Sequence, residues 1–299
     1  MNRLVGSLED ESLHVYSDTE FLDDIECSSP LVTTRQESIV ALSPTLVAKP
    51  VPWGVDPQDE VQAIVKARSI GINAPQARRV VSDPDDGGHY IIMDRVQGRT
   101  LEQLWPSLGL LDTIRVGRQL RGYVRAMQSV TAQTTGGLHS GVATSTAVGD
   151  LHGPARHASP AVFSQYLQWW LLECRPEYCK PLPHLVLPPP TQHVFVHQDL
   201  ALRNMILDPD GVLWLVDWNL AGFYPDYMEY LGMTPSKIEW IFGKTWAAWW
   251  GRVRWELLRW LVFGRAGRYR KEREMLAHVR QRSLRYRLEK TPFSDFLPS

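Results

Sequence analysis

The stretch His197-Gln-Asp-Leu-Ala-Leu-Arg-Asn204, followed after a short interval by Val216-Asp-Trp-Asn219, decides how the rest of this chain is read. Its form is H-x-D-L-x-x-x-N, then an apolar strand that ends in D-W. Between the two parts, Met205 to Leu207 and Val212 to Val216 flank Asp208-Pro-Asp-Gly211, which predicts a hairpin. A loop leaving the short strand Val194 to Val196 can turn Asp199 one way while Asn204 lies beyond the turn. The hairpin then returns the chain so that Asp217 emerges beside Asn204. Three polar side chains are expected to converge although the sequence between them is apolar.

Phosphoryl transfer from ATP needs these residue types. One carboxylate accepts or orients the hydroxyl proton of the acceptor, while a carboxamide oxygen and a second carboxylate hold Mg²⁺ on the phosphates. Asp199 fits the first role, and Asn204 with Asp217 fits the metal pair. Any one of them alone reads as a loop residue or a strand-end cap. The pattern as a whole carries the assignment.

The run from Phe195 to Tyr230, FVHQDLALRNMILDPDGVLWLVDWNLAGFYPDYMEY, resembles the catalytic region of the aminoglycoside phosphotransferase (choline kinase-like) family. It is most similar to fungal members with HGDLxxRN and DWexAGxYPxYxEY. The resemblance implies an α+β, bilobal protein kinase-like fold, with a small β-rich N-lobe and a mainly helical C-lobe. It also implies dependence on ATP and Mg²⁺, and transfer to a hydroxyl of a small molecule. Carried over by position, Asp199 resembles the catalytic base, and Asn204 and Asp217 resemble the Mg²⁺ ligands. YIIMDRVQG, from Tyr90, resembles the strand and hinge that meet adenine; Met93 would line the pocket and the backbone from Asp94 to Val96 would pair with the base. Lys49, in TLVAKPV, resembles the strand lysine that contacts ATP phosphates. Glu60, on the following helix, resembles its ion-pair partner.

Two departures from the family pattern stand out. Thr33 to Ile39 contains no glycine where backbone amides should wrap the phosphates, and Gln198 replaces the usual glycine or arginine between His and Asp. They open an alternative reading, a weak or inactive pseudokinase serving as a nucleotide-binding or scaffold protein. A protein kinase is disfavoured because no D-F-G or A-P-E activation segment is present.

Outward from this motif, residues 1–34 form an acidic segment with one short helix expected near Glu20 to Cys27. Residues 35–97 are expected to form the N-lobe. Ser38 to Leu42 and Thr45 to Val51 are β-prone, and Asp56-Pro57 caps a helix to about Ser69. Arg78 to Val81 and His89 to Val96 make a second hairpin. Residues 98–299 follow as the helical lobe, with a capping box at Thr100 and Gln103. Helices are expected from Asp112 to Val130 and from Phe163 to Glu173, with a long loop between them. A stiff proline-dense connector runs from Pro181 to Pro190, and helices dominate after Pro235.

Composition excludes several classes. A 299-residue chain that is 44% hydrophobic and 22% charged can bury a core without disulfides or metals. The formal net charge of -1 gives no general attraction to nucleic acid or anionic membrane. The three cysteines, Cys27, Cys174 and Cys179, argue against a disulfide framework and suit a reducing compartment. Met1 to Asp10 lack the layout of a secretory signal, and no apolar run approaches the ~20 residues of a membrane span. A cytoplasmic protein with a small-molecule partner is expected, with no nucleic-acid or membrane contact and an open oligomeric state.

Three further features compete for attention. Gly149-Asp-Leu-His-Gly153 matches a metallophosphatase signature but lacks the G-N-H that should follow, so a surface loop is expected. Trp240, Trp246, Trp249, Trp250, Trp255 and Trp260 are expected to pack as core, with Arg252, Arg254 and Arg259 on the wet face. Asp226 and Glu229 are either ordinary loop or cap carboxylates or acidic contacts for a substrate amine.

Overall fold

The structure is a computed structural model that describes residues 13, 16–33, 38–85, 87–146, 153–174, 180–233, 246–264, 268–285 and 293. The first elements are α1 (Asp18–Cys27), β1 (Pro30–Thr33), β2 (Ser38–Ala41), β3 (Leu46–Val51), α2 (Pro57–Ser69), β4 (Ala77–Ser82) and β5 (His89–Asp94). The five strands form one antiparallel sheet in the order β1-β2-β3-β5-β4. The turn between β1 and β2, where the glycine-free phosphate loop was expected, lies outside the described residues.

Side chains alternate across a strand, so a sheet covered on both faces reads as a continuous apolar run. That is the case for β3 and β5. Val47, Ile91 and Met93 pack with Ala63, Ile64 and Ala67 of α2. Leu46, Ala48 and Ile92 point the other way and pack with Phe21 and Ile25 of α1. The acidic N-terminal segment thus supplies a lid for the outer face of the sheet. Ser17 and Glu20 close a capping box on α1, and Arg79 of β4 pairs with Asp18 while its guanidinium lies over the Phe21 ring.

The remaining elements are β6 (Arg99–Thr100), α3 (Leu101–Leu104), α4 (Leu110–Gln128), β7 (Thr131–Ala132), α5 (Pro160–Leu172), β8 (His193–Val196), β9 (Met205–Leu207), β10 (Leu213–Leu215), β11 (Gly222–Tyr224), α6 (Tyr227–Gly232), α7 (Trp246–Phe263) and α8 (Arg270–Arg285). Two three-stranded sheets, β10-β9-β6 and β11-β8-β7, sit among these helices. Both consist of very short strands. The β9–β10 pair, closed by Asp208 to Gly211, and β8 have a sequence signature; β6, β7 and β11 are recruited by tertiary contacts. The overall layout is α+β, a small sheet lobe followed by a helical lobe. No described helix is long and apolar enough to cross a membrane.

The tryptophan-rich helix reverses its expected orientation. Trp255 is buried, but Trp246, Trp249, Trp250 and Trp260 are 40–77% exposed, while Arg254 and Arg259 are buried; Trp240 lies outside the described residues. The cause is unsatisfied backbone at the end of α3. The Arg254 guanidinium donates to the carbonyls of Trp105 and Leu108 and lies 5.3 Å from the Trp105 ring centroid. The Arg259 guanidinium sits 4.4 Å over the Tyr230 ring and pairs with Glu256. Arginine is favoured here because its fork reaches carbonyls that no apolar side chain could satisfy.

Arg254→Met should therefore destabilise the protein although it adds apolar character. Leaving two buried carbonyls without donors costs about 2–5 kcal/mol. The measurement is the denaturant midpoint, and an unchanged or raised midpoint would show that this arginine is not structural.

Candidate active site

Lys49 lies on β3 with 3% exposure, and its Nζ donates to both oxygens of Glu60 at 2.8 and 2.9 Å. The same Nζ donates to Asp217 Oδ1 at 2.6 Å. Glu60 is on the first turn of α2 and also accepts the Trp218 N–H at 3.2 Å. One ammonium thus joins the sheet, α2 and the D-W segment of the helical lobe. Burial opposes charge on Lys49, but the two carboxylates outweigh it and hold the amine above its ordinary range. Burial pushes Asp217 upward, and Lys49 more than reverses this, holding it below the carboxylate range. Burial raises Glu60, with Lys49 opposing and Asp217 adding to the rise.

The residues of the His197 to Asn204 loop form an adjoining group. Asn204 Nδ2 donates to Asp199 Oδ2 at 2.9 Å and to the Asp199 carbonyl at 3.0 Å. Arg203, which the sequence reading passed over, also donates to Asp199 Oδ2. Its signal was available, since an Arg four residues after an Asp, with the chain turning between them, can reach back to it. The two groups are tied by backbone: Val216 N–H donates to the Asn204 carbonyl at 3.0 Å, directly before Asp217. Asp217 itself takes a left-handed backbone, φ +66°, which redirects the chain after β10.

His197 is buried and held neutral, its pKa lowered by burial although Asp199 and Asp217 pull the other way. Its Nε2–H donates to the Val216 carbonyl at 3.1 Å, and its Nδ1 accepts the Asp199 N–H at 3.3 Å. These two bonds fix one tautomer. The imidazole therefore braces the loop against the D-W strand.

Gln198 has φ +66°, the conformation for which glycine is the default. Its side chain is held by two long-range bonds, Nε2 donating to the carbonyls of Leu220 at 2.7 Å and Thr144 at 3.1 Å. Beneath it lies Glu229, 1% exposed, which accepts the N–H groups of His197 at 2.5 Å and Gln198 at 3.2 Å. A contact with a substrate amine is therefore corrected for Glu229: its carboxylate is used by the underside of the loop. Asp226 accepts the Tyr269 hydroxyl at 2.7 Å.

Met93 to Val96 sit at the end of β5. Met93 is buried against the α2 side of the sheet, and Asp94 pairs with Arg78 at 2.6 Å. The Asp94 N–H donates to Gln76 and the Arg95 N–H to Thr45, both through backbone carbonyls. Val96 follows directly and is partly exposed. Cys174 is buried, whereas Cys179 and the Gly149 to His152 part of the metallophosphatase-like motif lie outside the described residues.

Burial pushes Glu229 up to about 7. Its folded value is raised above the ordinary 4.5, so its contribution to stability is fully present below about 4.5 and is lost as pH rises through about 7. The loss corresponds to roughly 3 kcal/mol. Unfolding free energies of the protein and of Glu229→Gln, measured from pH 4 to pH 8, should differ in slope across that window. Parallel curves would remove Glu229 as the titrating group.

Comparison with known proteins follows the same lines. No curated protein matches the sequence. Among solved structures, aminoglycoside phosphotransferase APH(3'')-Id from Streptomyces rimosus aligns with TM-score 0.53 at 16% identity, over 92% of this chain and 99% of that one. The GDP complex of aminoglycoside 2'-phosphotransferase-IIIa aligns with TM-score 0.51 at 12% identity, over 91% and 88%. A thermostable mutant of APH(4)-Ia, in ternary complex with AMP-PNP and hygromycin B, gives TM-score 0.50 at 15% identity, over 87% and 86%. At these identities the matches establish the bilobal kinase-like fold. The model of the phosphotransferase enzyme family, also called APH, matches residues 32–242. With most of the chain covered, including Lys49, Glu60 and the whole loop from His197 to Asp217, the protein belongs to the phosphotransferase enzyme family.

Proposed function

We propose that the protein transfers the γ-phosphate of ATP to a hydroxyl of a small molecule, in the cytoplasm, with Mg²⁺ as the required cation. The observation that carries this reading is the triad Lys49–Glu60–Asp217 set beside Asp199 and Asn204. In it a fixed cation, a candidate metal carboxylate and a candidate base meet at the junction of the two lobes.

The donor chemistry fits magnesium. A carboxylate on Asp217 and the carboxamide oxygen of Asn204 are hard oxygen donors of the kind that would hold Mg²⁺. When bound, the ion neutralises charge on the transferring phosphoryl group. Lys49 contributes a positive charge at the phosphates, with Glu60 keeping it oriented. Asp199 accepts or orients the proton of the incoming hydroxyl through its carboxylate, whose other oxygen is held by Arg203 and Asn204. Met93 lines the adenine site, and the Asp94 to Val96 backbone offers the base its pairing partners. Because the Asp94 and Arg95 N–H groups already have bonds, Val96 N–H is the donor assigned to the base.

Gln198 does not argue against turnover on this reading. Its backbone reaches the conformation a glycine would adopt, and its side chain turns away to Thr144 and Leu220. The acceptor is a small alcohol-bearing metabolite; the aminoglycosides named with the three relatives belong to those proteins.

Asp199→Ala should reduce transfer by about 10²–10⁴-fold, the range for loss of a general base, and leave Mg·ATP affinity nearly unchanged. Asp217→Ala should weaken Mg·ATP binding as well as turnover. Calorimetric titration with Mg·ATP and a mass-gain assay over a metabolite library supply the two readouts. Full turnover in the Asp199 variant would refute the base assignment. Tight Mg·ATP binding with no turnover across a broad panel of alcohols would favour the nucleotide-binding scaffold instead.

A further inference from the structure

Helix α2 begins with three acidic side chains that do three different things. Asp56 caps the helix by accepting the Gln58 N–H at 2.8 Å. Glu60 faces Lys49. Asp59 does neither: it is 8% exposed, and its carboxylate bonds a loop of the helical lobe. Its Oδ1 accepts the N–H groups of His139 at 2.8 Å and Ser140 at 2.9 Å, and its Oδ2 accepts the Ser140 hydroxyl. A fourth contact runs alongside, His139 Nδ1 to Asp56 Oδ2 at 2.7 Å.

The loop is shaped to receive that carboxylate. Gly137 approaches so closely that a Cβ there would lie 2.4 Å from the Asp59 carboxyl group. The Gly137 N–H bonds the Val142 carbonyl and the Gly141 N–H bonds the Gly137 carbonyl, closing a compact turn. The turn is fastened to the sheet that carries the catalytic loop. Gly136 exchanges two backbone bonds with Phe223 of β11, at 3.1 and 2.9 Å, and β11 pairs with β8, the strand that leads into His197.

We propose that Asp59 is a positioning residue that moors α2 to the catalytic sheet, so that Glu60 stays in register with Lys49 during nucleotide binding. The proposal rests on the assignment of Lys49 as the phosphate anchor. Neighbouring residues on a helix are about 100° apart, so a rotation or withdrawal of α2 that removed Glu60 from Lys49 would pull Asp59 out of its loop. Besides the Trp218 N–H to Glu60 and His139 to Asp56, the lobes are bridged by Lys49 to Asp217. That bridge must rearrange when Asp217 turns to a cation and Lys49 to phosphates. The Asp59 mooring has no such second duty, and it keeps α2 in place while the ion pair changes partners.

The test uses the full chain with Asp59→Leu, Asp59→Asn and Ser140→Ala, each first checked for cooperative unfolding. Lys49 acylation by acetic anhydride in nucleotide-free protein, read by peptide mass, reports whether Glu60 still covers the amine. Calorimetry with Mg·ATP reports the consequence. Asp59→Leu should raise the Lys49 acylation rate and weaken Mg·ATP affinity about tenfold, as when a binding-competent state falls to a tenth of the population. Asp59→Asn keeps an acceptor oxygen for both N–H groups and should recover much of the loss. Ser140→Ala, which removes one partially exposed hydroxyl, should show a smaller change of the same sign. Unaltered Lys49 reactivity in Asp59→Leu, with faster amide exchange at His139 and Ser140 proving the mooring broken, would overturn the proposal. If the unsubstituted protein binds no Mg·ATP while Asp59→Leu still exposes Lys49, the positioning role stands and the nucleotide assignment fails.

Discussion

A single buried ammonium between two carboxylates sets the terms for the rest of this molecule. Removing Lys49, Glu60 and Asp217 from water is costly, and the cost is offset only if their geometry is tight and their remaining hydrogen bonds are made. Each condition reaches into a different element. Lys49 requires β3 to be central and covered on both faces. Glu60 requires α2 to start where Asp56 and Pro57 start it, and it takes its last bond from Trp218 N–H. Asp217 requires a left-handed residue after β10. Loosening any of these would strand a charge in low dielectric. Such arrangements are conditional by nature: excellent when complete, worse than an apolar core when not.

The loop from His197 to Asn204 shows the same dependence on a buried group. His197 and Gln198 present successive N–H groups to Glu229, and the His197 ring holds the loop against the strand that precedes Asp217. Gly232 adds a steric condition, since a Cβ there would sit 2.5 Å from the Gln198 carbonyl. The Asp199 carboxylate is thus aimed from below by α6 and from the side by Arg203 and Asn204.

How much of this was readable in the sequence depended on whether the cause was local. The hairpin around Asp208 to Gly211, the Asp56-Pro57 start of α2 and the Thr100 capping box are written in adjacent residues, and each forms as expected. The Lys49–Glu60 contact was legible by resemblance, and its geometry agrees. The buried Arg254 and Arg259 were not legible, because the carbonyls they satisfy lie far away in sequence, at Trp105 and Leu108 for the former. Glu229 was visible as a carboxylate near the motif, but its burial depends on α6 folding back beneath the loop. Strands as short as β7 and β11 leave almost no periodicity to read.

The helix formed by Asp18 to Cys27 has a practical corollary. Phe21, fully enclosed, and Ile25 shield Leu46, Ala48, Val81 and Ile92, so the outer side of the β-sheet is an interior surface despite lying at the periphery. Shortened versions beginning at the first β-strand would present that oily plane, together with exposed strand edges, to solvent, a combination that favours self-association. Recombinant versions should retain this leading segment, and poor solubility of trimmed ones should not be mistaken for an intrinsic property of the enzyme.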